Sequence, residues 1–151
     1  MPEIAPADVA VVLCQADAAA LSSLVAPGHG ARMLETSPDE RLFVCDPGLA
    51  TDVERELRDR IAALDVDAVV LDVSDGWAGL RLTGEDAGRS LAYLSQLDPP
   101  GDGGFVQGHV AHVTAKILGD PDGVTILVPA YWRAHLWERA RHDVPTRKAS
   151  V

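Results

Sequence analysis

The sequence predicts a pseudo-duplicated α+β fold: two βαββα halves, mainly antiparallel sheet with helices packed on the outer faces. Three observations carry this. Short apolar runs at 9–14, 41–45, 68–73, 77–82 and 124–128 have the length and Val/Leu/Ile content of strands. Between them lie segments with apolar residues spaced along one helical face. The two halves also align with each other. A shift of 69 places Leu13 on Leu82, Asp17 on Asp86 and Ala18 on Ala87; a shift of 83 places Phe43 on Ile126, Leu49 on Trp132 and Val53 on Leu136. The expected division is 1–65, 66–143 and a frayed tail at 144–151, with the two halves forming one compact unit.

Residues 1–7, with two prolines, read as a leading arm. The run 9–14 is a buried strand, and the Ala- and Leu-rich 17–25 a short helix stopped at Pro27-Gly28. A weak strand at 29–36 and a strand at 41–45 flank Ser37-Pro38-Asp39-Glu40, which is turn chemistry. Asp46 and Pro47 then open a helix, Asp46 as a cap and Pro47 in the first turn. Its residues Leu49, Val53, Leu57, Ile61 and Leu64 share one face, and Glu54–Arg58 and Glu56–Arg60 are i,i+4 pairs on the other.

The centre of the chain is 66–84. Its apolar runs 68–73 and 77–82 flank Ser74-Asp75-Gly76, and Asp-Gly between such runs predicts a type I′ hairpin. Trp77, Gly79 and Arg81 alternate with Ala78, Leu80 and Leu82, the period of a half-buried strand. Thr83-x-x-Asp86 has capping-box spacing and predicts a helix over about 84–97, marked by Ala87, Leu91 and Leu94. The Pro/Gly loop 98–104 follows, then one strand over 108–118, a turn at Asp120-Pro121-Asp122-Gly123, its partner at 124–128, and a helix over 131–142 with Trp132, Leu136 and Ala140 in register.

Asp72-x-Ser74, a following Trp, an apolar strand ending in Leu82-Thr83-Gly84 and an Ala-containing helix together resemble the core signature of the aminomethyltransferase-like (glycine-cleavage T-protein-like) superfamily. Within it, the chain is similar to the gamma subunits of heterotetrameric sarcosine oxidase, whose C-terminal half the stretch 108–139 also resembles. The likeness runs from about residue 9 to 143 in order of elements, and by residues over 71–84 and 123–137. It implies a folate-binding-domain-like scaffold. It also implies a non-catalytic accessory subunit beside flavoprotein amine oxidase subunits, with FAD or FMN on those partners and tetrahydrofolate as a ligand of the scaffold. The catalytic enzymes of the superfamily are longer, and their N-terminal tyrosine-bearing and acidic motifs have no match here, so no catalytic residue carries over. The alternative is a stand-alone small enzyme or folate- or small-molecule-binding protein using the same cleft, or a homodimer.

At 151 residues the chain is long enough for a sizeable core, and 47% hydrophobic with 24% charged residues is ordinary for a globular protein. A net charge of −10 argues against nucleic acid and anionic membranes, which need a basic footprint. The absence of a long apolar run, of a leader pattern and of a cysteine framework gives a cytoplasmic expectation, with Cys14 and Cys45 as buried, reduced thiols.

Candidate chemistry is sparse. Asp72 sits late in an apolar strand, where a carboxylate needs a partner or an exposed face; it either faces a ligand cavity or serves as an Asp–Ser turn device with Ser74. Asp72, Ser74, Trp77 and His109 are the candidate ligand-binding residues. Phe105, Tyr131, Trp132 and Trp137 are the candidate docking residues, since Trp132 and Trp137 cannot share one narrow helical stripe. His109 and His112, three apart on one strand, would point to opposite faces and form no metal pair. His135 and His142 read as solvent-edge residues, and no metal site is expected. The glycines of 101–108 lack the lysine of a phosphate loop and read as a flexible lid or docking loop.

Overall fold

A computed structural model of the chain describes residues 1–146 and divides it into two units, residues 8–74 and residues 1–7 with 75 onward. Strand β1 (Glu3–Ala7) belongs to the second. The first contains β2 (Ala10–Gln15), α1 (Ala18–Ser22), β3 (Arg32–Ser37), β4 (Glu40–Cys45), α2 (Ala50–Ala62) and β5 (Val69–Asp72). These strands form an antiparallel sheet of order β3-β4-β2-β5. Val12, Cys14, Phe43 and Cys45 of the sheet pack against Leu21, Leu24, Val53, Leu57 and Ile61, so α1 and α2 cover one face. The α2 helix follows the expected pattern. Pro47 opens a 3-10 turn ahead of it, and the Glu54–Arg58 and Glu56–Arg60 pairs form at 2.6 and 2.5 Å. Asp46 occupies the cap position without a side-chain cap bond.

The second unit adds β6 (Trp77–Thr83), α3 (Ala87–Ser90), β7 (Phe105–Val110), β8 (Val113–Asp120), β9 (Gly123–Pro129) and α4 (Arg133–Asp143) to β1. Its antiparallel sheet runs β1-β6-β9-β8-β7. Leu80 and Leu82 of β6, Ile117 of β8 and Ile126 of β9 meet Leu91, Leu94, Leu136 and Ala140 in one core. The alternation expected for β6 is present: Ala78, Leu80 and Leu82 are buried and the residues between them half-buried.

The structure corrects several expectations. The runs 68–73 and 77–82 are not a hairpin. β5 pairs with β2 and β6 with β1 and β9, in different sheets. Ser74-Asp75-Gly76 is a 3-10 turn and Gly76 lacks the positive φ a type I′ turn needs, so the chain passes from one sheet to the other instead of folding back. The single strand expected over 108–118 is itself a hairpin. Val110 pairs with Val113, and the turn residues Ala111 and His112 have φ of 49° and 68°, a conformation the sequence Ala-His does not advertise. Thr83 ends β6 rather than capping a helix, and the expected helix 84–97 is α3 plus a 3-10 turn at Leu91–Tyr93. The leading arm is β1, bonded along β6. Of the tail expected to fray over 144–151, Val144 is instead buried in the second unit's core, and the residues from 147 on lie outside the described residues.

The duplication is real at the level of topology. The order β3-β4-β2-β5 repeats as β8-β9-β6-β1, with β7 added at the edge. The place β5 takes after α2 is filled in the second unit by the N-terminal β1. The shift of 83 holds residue by residue, placing buried Phe43, Val53 and Leu57 on buried Ile126, Leu136 and Ala140. The shift of 69 does not hold, because it lays half-exposed Leu13 on the fully buried Leu82. Pairing sets the strand offset at 68, since Val12 opposite Phe43 corresponds to Leu80 opposite Ile126, whereas Leu21 and Leu24 of the helical segment fall on Leu91 and Leu94 with an offset of 70. A one-residue slip exchanges the faces of a strand, so burial excludes the odd offset that sequence identity suggested, and pairing fixes the register.

Candidate functional site

Asp72 closes β5 in the first unit. Its Oδ1 accepts hydrogen bonds from the backbone N–H of Ser74 (3.0 Å) and from the Ser74 hydroxyl (2.5 Å). That hydroxyl oxygen accepts from the N–H of Val11 at 2.9 Å, and the N–H of Val73 donates to the Val11 carbonyl at 2.9 Å. A four-residue knot thus satisfies the main-chain groups where β5 leaves β2. This is the turn-device geometry: the carboxylate is exposed and organises backbone.

Trp77 begins β6 in the second unit. The ammonium of Lys116 on β8 lies 5.4 Å from its ring centroid and also donates to Oε1 of Gln107 on β7 at 3.1 Å. His109 is exposed on β7, and β9 and β8 stand between its strand and that of Trp77. The His109 carbonyl accepts from the Ser95 hydroxyl at 2.6 Å. Tyr93, Ser95, Gln96, His109, His112 and Arg139 line a cleft of about 560 Å³ here. The structure therefore brings Asp72 and Ser74 together and places Trp77 and His109 in separate surroundings.

The cleft owes its shape to small residues and to one histidine. A Cβ on Gly108 would lie 2.7 Å from Leu97, so the glycine lets the 94–97 segment settle on β7. The ring of His135 reaches from α4 to the Ala111 carbonyl at 2.8 Å, so this residue is no solvent-edge histidine. The glycine-rich loop is likewise tied down. Gly103 N–H donates to the Gly119 carbonyl, Gly119 N–H donates to the Gly104 carbonyl, and a Cβ on Gly119 would fall 1.9 Å from the Gly101 oxygen. The glycines serve backbone-to-backbone contact, not a lid.

Among the docking candidates, Phe105 opens β7, half-buried opposite Leu118. Tyr131 is 80% exposed and Trp132 39%, with their rings 5.6 Å apart. Trp137 packs partly on the core, and the Arg141 guanidinium lies 5.0 Å from its ring centroid. Pro6, Arg133, Trp137, Glu138, Arg141 and His142 line a shallow groove of about 870 Å³. Sequence reading missed Arg133 and Arg141, although their i, i+4, i+8 spacing with Trp137 was there to be seen.

Two carboxylates are held below the usual range. Asp143 is lowered by its hydrogen bond with His142 and by the Arg139 charge, and Asp65 by the N–H groups of Asp17 and Asp67. Burial pushes both thiols, Cys14 and Cys45, up. Among the described residues no group of three or more His, Cys, Asp or Glu is placed to hold a metal, and no helix is long and apolar enough to cross a membrane.

No protein-family model and no curated protein matches the sequence. Solved structures do. One chain of the heterotetrameric sarcosine oxidase from Corynebacterium sp. U-96, in complex with pyrrole 2-carboxylate, superposes with a TM-score of 0.72 at 19% identity, over 98% of this chain and 88% of that one. The glycine cleavage system aminomethyltransferase T from Bartonella henselae gives 0.71 at 14% identity, over 94% of this chain. The fold is that of aminomethyltransferase T. This chain spans 46% of the length of the Bartonella protein. The ligand-free regulatory subunit of aspartate kinase from Thermus thermophilus matches less well, with a TM-score of 0.54 at 12% identity. The aminomethyltransferase-like fold expected from 71–84 and 123–137 is thus present in three dimensions.

Proposed function

We propose that this chain is a non-catalytic accessory subunit of a flavoprotein amine oxidase of the sarcosine oxidase kind, acting in the cytoplasm beside flavin-bearing partners. One observation carries the reading. The chain matches a chain of a heterotetrameric sarcosine oxidase over 88% of that chain's length, but only 46% of an aminomethyltransferase T. The shared fold accounts for most of that oxidase chain and for less than half of the aminomethyltransferase. The Asp72 carboxylate supports this, since its Oδ1 is committed to Ser74.

The test is co-expression with the neighbouring open reading frames, followed by size-exclusion chromatography with light scattering. Co-elution with a yellow, flavin-bearing complex is expected. A lone monomer or homodimer that ignores every neighbour would overturn the proposal.

A second reading, a folate- or small-molecule-binding protein, draws on the cleft lined by Ser95, His109 and Arg139. It requires that tetrahydrofolate or a small amine raise the melting temperature, because a ligand that binds only the native state stabilises it. An unchanged melting temperature at millimolar ligand removes it.

A further inference from the structure

The two repeats use the same helix position differently. In α2, Arg58 is neutralised by Glu54 at 2.6 Å and donates to the Val70 carbonyl of the edge strand β5 at 3.0 Å. The shift of 83 carries Ala50, Glu54 and Arg58 onto Arg133, Trp137 and Arg141 of α4. The acid that neutralises the arginine in α2 is a tryptophan in α4, and the Arg141 guanidinium lies over that ring instead. Beside this stripe runs the groove whose far side is Pro6 of the edge strand β1. One repeat has closed this surface with its own ion pair, and the other presents an aromatic with Arg141 over its ring and Arg133 along the same groove.

We infer that this groove docks an acidic segment of the partner subunit, its carboxylates on Arg133 and Arg141 and an apolar side chain against Trp137 and Pro6. The inference rests on the accessory-subunit reading and names the surface that reading requires. Charge complementarity selects the occupant. The chain as a whole carries −10, so an acidic partner is repelled by most of its surface. At the groove two arginines, Arg133 and Arg141, stand against one carboxylate, Glu138. The groove is shallow and open, unlike the enclosed pockets that small ligands fill. Pro6 removes one main-chain donor from the free edge of β1, which disfavours adding the occupant as a further strand and favours side-chain contacts.

The test uses the full chain and the flavin-bearing subunits that co-purify with it. The variant Arg133→Glu/Arg141→Glu should bind them about tenfold more weakly, and wild-type affinity should fall as salt rises. Circular dichroism and the melting temperature establish that the variant is folded. If the double variant does not fold, Arg133→Glu alone, at an exposed position, takes its place with the same expected direction. A folded charge-reversal variant with wild-type affinity overturns the groove and leaves the accessory-subunit proposal standing. Failure of the wild type to bind any flavin-bearing subunit overturns both.

Discussion

His135 Nε2 donates to the carbonyl oxygen of Ala111 at 2.8 Å, holding from α4 a turn whose two residues both lie in the left-handed region. The N–H of Ala111 is held in turn by the Leu94 carbonyl at 2.7 Å. Left-handed backbone is costly for residues with a Cβ, so the β7–β8 turn depends on these outside contacts. Replacing exposed His112 by Gly should stabilise the protein by about 1 kcal/mol, since glycine relieves the strain at φ 68°. Removing the clamp with His135→Leu should cost about 1–2 kcal/mol, because it leaves a carbonyl without its donor. Urea unfolding of both variants checks the pair; a destabilising His112→Gly would contradict the strain argument.

Backbone crowding gives a sharper contrast. A Cβ on Gly123 would lie 1.9 Å from the Leu82 oxygen, and one on Gly119 the same distance from the Gly101 oxygen, whereas one on Gly28 meets nothing within 4 Å. Gly119→Ala and Gly123→Ala should each cost about 3 kcal/mol or more by overpacking. Gly28→Ala should lie within about 0.5 kcal/mol of wild type. Thermal melts of the three variants decide it.

The lowered carboxylates fix the acid limb. For a group whose folded pKa is depressed, the stabilisation is fully present above the unfolded value and is lost as pH falls through the folded one. Asp65 and Asp143 both have this sign, so stability should drop below the ordinary carboxylate range, about pH 4. Asp65→Asn and Asp143→Asn should each flatten that limb in chemical denaturation measured as a function of pH. An unchanged slope in both would remove these groups from the account.

Cys14 is fully buried and Cys45 nearly so, and burial raises both thiols, so neither presents a thiolate at neutral pH. Native protein should react with a thiol reagent such as DTNB only on the timescale of unfolding, and both cysteines should titrate at once in denaturant. Rapid labelling of the native protein would show an opening that the packed first unit does not predict.

The Asp72–Ser74 knot separates structure from chemistry. Asparagine keeps an oxygen that accepts both Ser74 bonds, so Asp72→Asn should leave stability and complex formation close to wild type. Asp72→Ala should cost about 1 kcal/mol in urea unfolding. A large loss of function in Asp72→Asn with unchanged stability would reveal a role for the charge itself.

Much of the fold was legible because it is written in local patterns. Leu49 to Ile61 mark α2, Asp120-Pro121-Asp122-Gly123 turns β8 into β9, and the alternation from Trp77 to Leu82 marks β6. The Ala111-His112 turn was illegible because its conformation is imposed by Leu94 and His135, residues distant in sequence. At the candidate sites, the aromatics of α4 stood out by type. The stripe joining Trp137 to Arg133 and Arg141 acquired meaning only with Pro6 brought alongside from the other end of the chain.

The sequence by itself determined the α+β class, the doubled pattern and the identity of most strands and helices, since periodicity and turn chemistry act within a few residues. Tertiary structure alone decided which strands pair. Asp75-Gly76 could have closed a hairpin, but β5 completes the sheet of β2 and β6 that of β1 and β9, where Val70 and Leu80 are each buried against a helix-covered core. Burial of apolar area between distant segments outweighs the preference of a single turn.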